Sequence, residues 1–142
     1  MQLDQKKARQ DRYLDKIAHG EKRYENIIKW LQVLKKHDEL TLLAIYKATQ
    51  ELIESLMDIL AMILKDTNNL PKDDYSNIEK AFEQEILSEE ETNILREANG
   101  LRNRLIHSYN GINDELALKS LKKLLPGCKQ ILARVKEWIK NY

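Results

Sequence analysis

The chain has 142 residues, of which 42% are hydrophobic and 33% are charged, and its formal net charge is +1. This length predicts a single domain, residues 1–142, and the composition is too apolar for a disordered protein and too poor in Gly and Pro for a many-turned β-sandwich. The single cysteine, Cys128, excludes an intramolecular disulfide, and the apolar runs are far shorter than the roughly 20 residues of a membrane span. The polar N-terminus has no signal-peptide core, so we expect a cytoplasmic protein without membrane contact.

Amphipathic patterns predict two long helices in the first half of the chain. The second is predicted over residues 39–65, where apolar side chains recur at alternating steps of three and four. The first has apolar side chains at Leu14, Ile17, Tyr24, Ile27, Ile28, Leu31 and Leu34. Residues 1–11 before it are mostly polar, and we expect them either to fray or to extend this helix into solvent as an N-terminal tail.

Two further helices are predicted after the loop of residues 66–71. The third is short, spans residues 74–86, and is expected to turn Ile78, Ala81, Phe82 and Ile86 inward. Ser88 begins the fourth, because Glu91 three residues later completes the pattern of a capping box. The fourth helix is expected to end at Asn110-Gly111, a typical C-terminal signal.

The last segment has the most regular pattern of the chain, with apolar residues at Ala117, Leu121, Leu124, Cys128, Ile131, Val135 and Trp138. Its register continues through Pro126-Gly127, which predicts one long helix kinked at Pro126 rather than two helices. Cys128 lies on this apolar stripe and is expected to be a core residue. Together these elements predict an all-α fold, a five-helix up-and-down bundle with short loops.

The charged residues are distributed unevenly along the chain. Residues 66–95 have a net charge of −7, whereas residues 96–142 have a net charge of +6. A basic last third behind an acidic middle is a pattern that attracts phosphate. Solvated helix faces produce similar charge blocks, so both interpretations stay open at this point.

Polar residues of several kinds converge near the predicted end of the fourth helix. On a helix, Asn103 and His107 differ by about 40° around the axis, and Arg102 and Tyr109 differ by about 20° if the helix continues that far. Arg104 adds a second cation. A purely structural interpretation is that cations collect at a helix C-terminus to offset its dipole. His107 would then be a C-cap, and Arg102 would form a surface ion pair.

With an Asn directly after the arginine, this Arg-x4-His-x-Tyr arrangement resembles the HEPN domains of prokaryotic toxins, in particular the HepT-like group. That group has the motif at the end of the fourth helix of a small helical bundle. The resemblance covers about residues 12–140 and includes Leu70-Pro71 and the turn Gly111-Ile112-Asn113. Gly100, two residues before the arginine, is unusual in mid-helix, where it costs about 1 kcal/mol relative to Ala.

The resemblance implies the toxin of a toxin–antitoxin system, a metal-independent endoribonuclease that needs no cofactor. RNA would be cleaved through attack by its own 2′-OH, so DNA would resist. His107 would act as general base or acid, and Arg102 would clamp the phosphoryl oxygens. Asn103, Arg104 and Tyr109 would support the RNA phosphate.

The resemblance also implies two protein partners. A second copy of the chain would bring two motifs together across a twofold interface, as a homodimer that can assemble further. A small MNT-type nucleotidyltransferase antitoxin would attach AMP to Tyr109. Two alternatives stay open: a non-catalytic HEPN module that binds a nucleotide or a partner, and a purely structural homodimeric bundle.

Overall fold

The structure, a computed structural model, describes residues 2–108 and 111–141, and within them it contains five α-helices and no strand. The helices are α1 (Gln2–Val33), α2 (Glu39–Asp66), α3 (Asp74–Glu83), α4 (Glu89–Ile106) and α5 (Asp114–Lys140). Ion pairs such as Lys16–Asp58 and Lys123–Glu97 join antiparallel neighbours. The predicted all-α, five-helix up-and-down bundle is confirmed. No helix in the described part of the chain is long and apolar enough to cross a membrane.

The first helix begins at Gln2, so the described residues of the N-terminal tail form the first turns of α1. Its buried face follows the predicted stripe except at the first position, where Tyr13 is 0% exposed and Leu14 is 38% exposed. Tyr13 donates a hydrogen bond to Asp66 Oδ2 (2.6 Å), and its ring meets Trp138 edge-on at a centroid distance of 5.7 Å. Tyr13 takes the place predicted for Leu14 because it buries its ring while its hydroxyl is paired with a carboxylate.

The second helix is the centre of the bundle. It contacts all four other helices and is therefore buried on more than one side. Thr49 is fully buried on the predicted stripe, and its hydroxyl donates to the carbonyl of Ile45 at 2.8 Å, so this polar group is satisfied inside the core. Asp38 caps the helix by accepting a hydrogen bond from the backbone N–H of Thr41.

The third helix ends at Glu83, three residues before the predicted end. Glu85 has a φ of 59°, and Ile86 N–H donates to the carbonyl of Ala81 at 2.9 Å, which together make a Schellman turn. The prediction missed this end because the left-handed residue is Glu rather than Gly. Phe82, predicted to face inward, is 41% exposed because the helix turns only Asn77, Ile78 and Ala81 into the core.

The last two helices follow the sequence closely. The capping box of Ser88 and Glu91 is present, with both reciprocal hydrogen bonds formed. The last helix is a single element that contains Pro126, as predicted, while the bend at Pro126 stays a prediction. Cys128 is buried in the core, as expected, and burial raises the pKa of its thiol to about 12. This thiol is therefore a packing group.

Candidate active site at the end of α4

The motif residues lie at the end of the bundle where α4 finishes and α5 begins. The fourth helix ends at Ile106, and His107 is its C-cap, with a backbone N–H that donates to the carbonyl of Asn103 at 2.9 Å. The predicted end at Asn110-Gly111 is therefore wrong, because the helix stops about one turn earlier. A shared helical face for Arg102 and Tyr109 required the longer helix, and Tyr109 itself lies outside the described residues.

Arg102 points from α4 towards α2 and α3. Its side chain is 20% exposed, and its Nη2 donates to Asn103 Oδ1 at 3.0 Å. The same Nη2 lies 3.3 Å from Asp74 Oδ2 in the first turn of α3, and Nη1 lies 3.9 Å from Glu54 Oε1 on α2. The guanidinium is thus held between two carboxylates from different helices. Neither partner has a local signal in the sequence, since both pairs depend on tertiary packing.

Not every buried polar atom in and around Arg102 has a hydrogen-bond partner among the described residues. Its Nε is buried without a hydrogen-bond partner among the described residues, and so is Asn99 Oδ1 one turn earlier on the same helix. Buried donors without a partner are uncommon in folded proteins. Two carboxylates and one guanidinium also leave a net charge of −1 at this point, which repels a phosphate unless one carboxylate moves away.

The other charged motif residues face solvent. Arg104 and His107 are both exposed, and Arg104 makes no ion pair with the residues that the structure describes. In the helix they are three positions apart, so they lie on neighbouring positions of one face. The structure therefore brings Arg102 and Asn103 into direct contact and turns Arg104 and His107 outward.

A hydrogen bond joins α2 to α5 at this end of the bundle. Tyr46 on α2 is 9% exposed, and its hydroxyl donates to the carboxylate of Asp114, the first residue of α5. Burial and this hydrogen bond raise the pKa of Tyr46, so its phenol stays protonated and remains a donor. The contact joins the start of α5 to α2 a few residues after the end of α4. Nothing in the local sequence pattern indicated it.

Chemistry that depends on a resident metal would need a cluster of ligands. Among residues 2–108 and 111–141, no group of three His, Cys, Asp or Glu side chains is arranged to hold a metal ion. The end of α4 presents an exposed imidazole, two guanidinium groups and an amide, which are suited to proton transfer and to binding an anion.

The chain is similar to several known proteins. A family model described as "Ribonuclease HepT-like" matches residues 13–135. A protein of Archaeoglobus fulgidus named "Putative RNase" is 34% identical over 131 residues, which are 91% of this chain and 94% of that protein. A second protein of the same organism and the same name is 34% identical over 116 residues, 82% of this chain and 85% of the relative.

A solved structure shares the fold. The tri-AMPylated Shewanella oneidensis HEPN toxin, in complex with MNT antitoxin, superposes with a TM-score of 0.80, covering 88% of this chain and 96% of that one. The two sequences are 18% identical. This likeness establishes that the five helices of the present chain are arranged as in that HEPN toxin.

Proposed function

Because the chain belongs to the HepT-like ribonuclease family, we propose that it is the ribonuclease toxin of a toxin–antitoxin pair and that it cleaves RNA without a metal ion. The single observation that carries the proposal is the exposed imidazole of His107 at the C-cap of α4, five residues after a guanidinium held within the fold. A toxin of this kind acts on the RNA of its own cell, so we place its activity in the cytoplasm.

The proposed reaction is an internal transfer of the RNA phosphate. His107 takes the proton of a 2′-OH, and the 2′-oxygen attacks the adjacent phosphorus. The bond from phosphorus to the 5′-oxygen breaks, and that oxygen receives a proton from a second imidazole. The products are a 2′,3′-cyclic phosphate and a 5′-hydroxyl, so neither water nor an oxidant is consumed.

Arg102 would stabilise the negative charge that grows on the phosphoryl oxygens. A guanidinium offers several N–H donors in a planar fork, which suits two phosphoryl oxygens at once. In the structure this fork is engaged by Asn103, Asp74 and Glu54, so the RNA phosphate must displace at least one carboxylate. Asn103 Oδ1 then still accepts a hydrogen bond from Arg102 Nη2 and holds the guanidinium in place. Arg104 binds a neighbouring phosphate.

We expect the active form to be a homodimer. The mechanism uses two imidazoles, and a single chain offers only His107 at this end of α4 among its described motif residues. A twofold interface would place each motif beside its copy. Light scattering at micromolar concentration should therefore give twice the mass of the 16.8 kDa chain. A monomer that cleaves RNA at full rate would contradict the composite site.

The antitoxin partner is proposed to act on Tyr109. Attachment of AMP would bring a phosphate that Arg104 can pair with and an adenosine that blocks access to His107. Incubation with ATP and an MNT-type nucleotidyltransferase encoded beside the toxin should increase the mass of the intact chain by that of AMP. Peptide mapping should place the adduct on Tyr109, and the modified chain should no longer cleave RNA. Tyr109→Phe should acquire no adduct. An adduct at another residue with cleavage unchanged would contradict the assignment.

A non-catalytic module that binds a nucleotide or a partner is the second candidate. The observation in its favour is that Arg102 is already paired with two carboxylates. Incubating the purified chain with total cellular RNA and excess EDTA separates the two candidates. The ribonuclease should fragment the RNA in the presence of the chelator, whereas the binding module should leave it intact.

A further inference from the structure

Gly100 is a mid-helix glycine for which the packing of the bundle gives no reason. A Cβ built on it would lie 3.6 Å from Arg104 Nη1 and 3.8 Å from Tyr75 Oη, which are ordinary contacts. At Gly127, in contrast, a Cβ would lie 2.5 Å from Ile94 Cδ1, so that glycine is needed where α4 and α5 pack. Close helix packing therefore does not require a glycine at position 100, and its helix-weakening effect needs another explanation.

The surroundings of Gly100 are polar and partly exposed. Glu97, Gly100, Arg104 and His107 follow one another at steps of three, four and three along α4; Glu97, Arg104 and His107 are exposed, and Gly100 is partly exposed. Tyr75 on α3 is 48% exposed and borders this row on one side. Gly100 thus leaves a gap in the row one turn before Arg104. The Arg104 guanidinium lies beside this gap, so an anion that binds it comes close to the helix backbone.

The basic part of α5 borders the same row on its other side. Lys123 Nζ lies 3.6 Å from Glu97 Oε1, and the contact of Gly127 with Ile94 sets the antiparallel register of the two helices. Lys119, one turn from Lys123 towards the start of α5, is therefore level with Gly100. Lys119 and Lys123 are exposed, and Lys119 makes no ion pair with the part of the chain that the structure describes.

We propose that Gly100, Tyr75, Arg104, Lys119 and Lys123, here called the Gly100 strip, bind the sugar–phosphate backbone of the RNA that leads to His107. The inference rests on the proposed function and gives its substrate a path. Three cations would bind phosphates, and the Tyr75 hydroxyl can donate to a phosphate or sugar oxygen. The missing side chain at Gly100 lets the RNA backbone approach α4. Arg104 and Lys119 make no ion pair among the described residues, so this surface suits a polyanion.

The test measures the binding of an unstructured RNA oligonucleotide to the inactive variant His107→Ala over a range of salt concentrations. Adding Lys119→Gln and Lys123→Gln should weaken binding at least tenfold. Loss of two phosphate contacts should also reduce the slope of log affinity against log salt by about 1.4. The matched control is Lys6→Gln with Lys7→Gln, which removes the same charge from exposed residues near the start of α1 and should bind as the parent does.

Substitution of Gly100 by Ala should change thermal stability and RNA binding in opposite directions. Gly100→Ala should raise the melting temperature by about 3 °C, because Ala favours a helix, and should weaken RNA binding. Gly100→Leu should weaken binding further and leave the mass in solution unchanged. If the two lysine pairs behave alike, or if Gly100→Leu converts a dimer to a monomer, the strip is not an RNA path. These binding results are independent of cleavage, so they separate failure of this inference from failure of the ribonuclease proposal.

Discussion

His107→Ala is expected to cleave RNA about 100- to 10,000-fold more slowly than the unchanged chain, with the same melting temperature. A positioned general acid or base contributes a factor of this size. The side chain is exposed at the C-cap, and the capping hydrogen bond to the carbonyl of Asn103 comes from the backbone, so the fold does not depend on the imidazole. Initial cleavage rates and thermal unfolding of the same preparation provide the measurement.

His37→Asn is the matched control for this variant. His37 is also exposed, and its φ of 67° is a conformation that Asn adopts readily. It should cleave RNA at the unchanged rate. A His107→Ala protein that remained as active as this control would remove His107 from the mechanism.

Arg102→Lys is expected to reduce cleavage about 100- to 1000-fold, although the positive charge is kept. An ammonium is a single point charge, whereas the guanidinium presents a fork that can hold two phosphoryl oxygens in the transition state. The ion pairs with Asp74 and Glu54 can be made by either cation, so we expect only a small change in the free energy of unfolding. Single-turnover rates at saturating RNA measure the effect.

Arg96→Lys tests whether the loss is specific to the site. Arg96 lies on the same helix and forms a two-pronged pair with Glu79, both bonds being 2.7 Å. Its replacement should disturb an exposed contact between α3 and α4 while cleavage continues. Equal losses in the two variants would mean that Arg102 supports the fold and not the transition state.

Much of the fold was predictable because apolar periodicity reports directly on burial. The unbroken register from Ala117 to Trp138 gave one helix through Pro126, since two separate helices would have no reason to keep it. The capping box of Ser88 and Glu91 fixed the start of α4, because both hydrogen bonds are local in sequence. The positions of Arg102, Asn103 and Arg104 on α4 followed from the same local geometry.

What the sequence missed depends on contacts between distant parts of the chain. The ion pairs of Arg102 require Glu54 and Asp74 to approach from two other helices, and no local pattern encodes that approach. The end of α3 was missed because Glu85, not a glycine, takes the left-handed conformation. The hydrogen bond between Tyr46 and Asp114 depends on the packing of α2 against α5, which no local pattern reports.

The central claim, metal-independent cleavage through the 2′-OH, is tested most directly by the ends of the products. A synthetic RNA and the same oligonucleotide with 2′-deoxy sugars are incubated with the purified chain in excess EDTA, and the fragments are weighed by mass spectrometry. The account predicts fragments that end in a 2′,3′-cyclic phosphate with matching 5′-hydroxyl partners, and no cleavage of the deoxy oligonucleotide. Cleavage of the deoxy oligonucleotide, 5′-phosphate ends, or activity that appears only when a divalent metal is restored would contradict it.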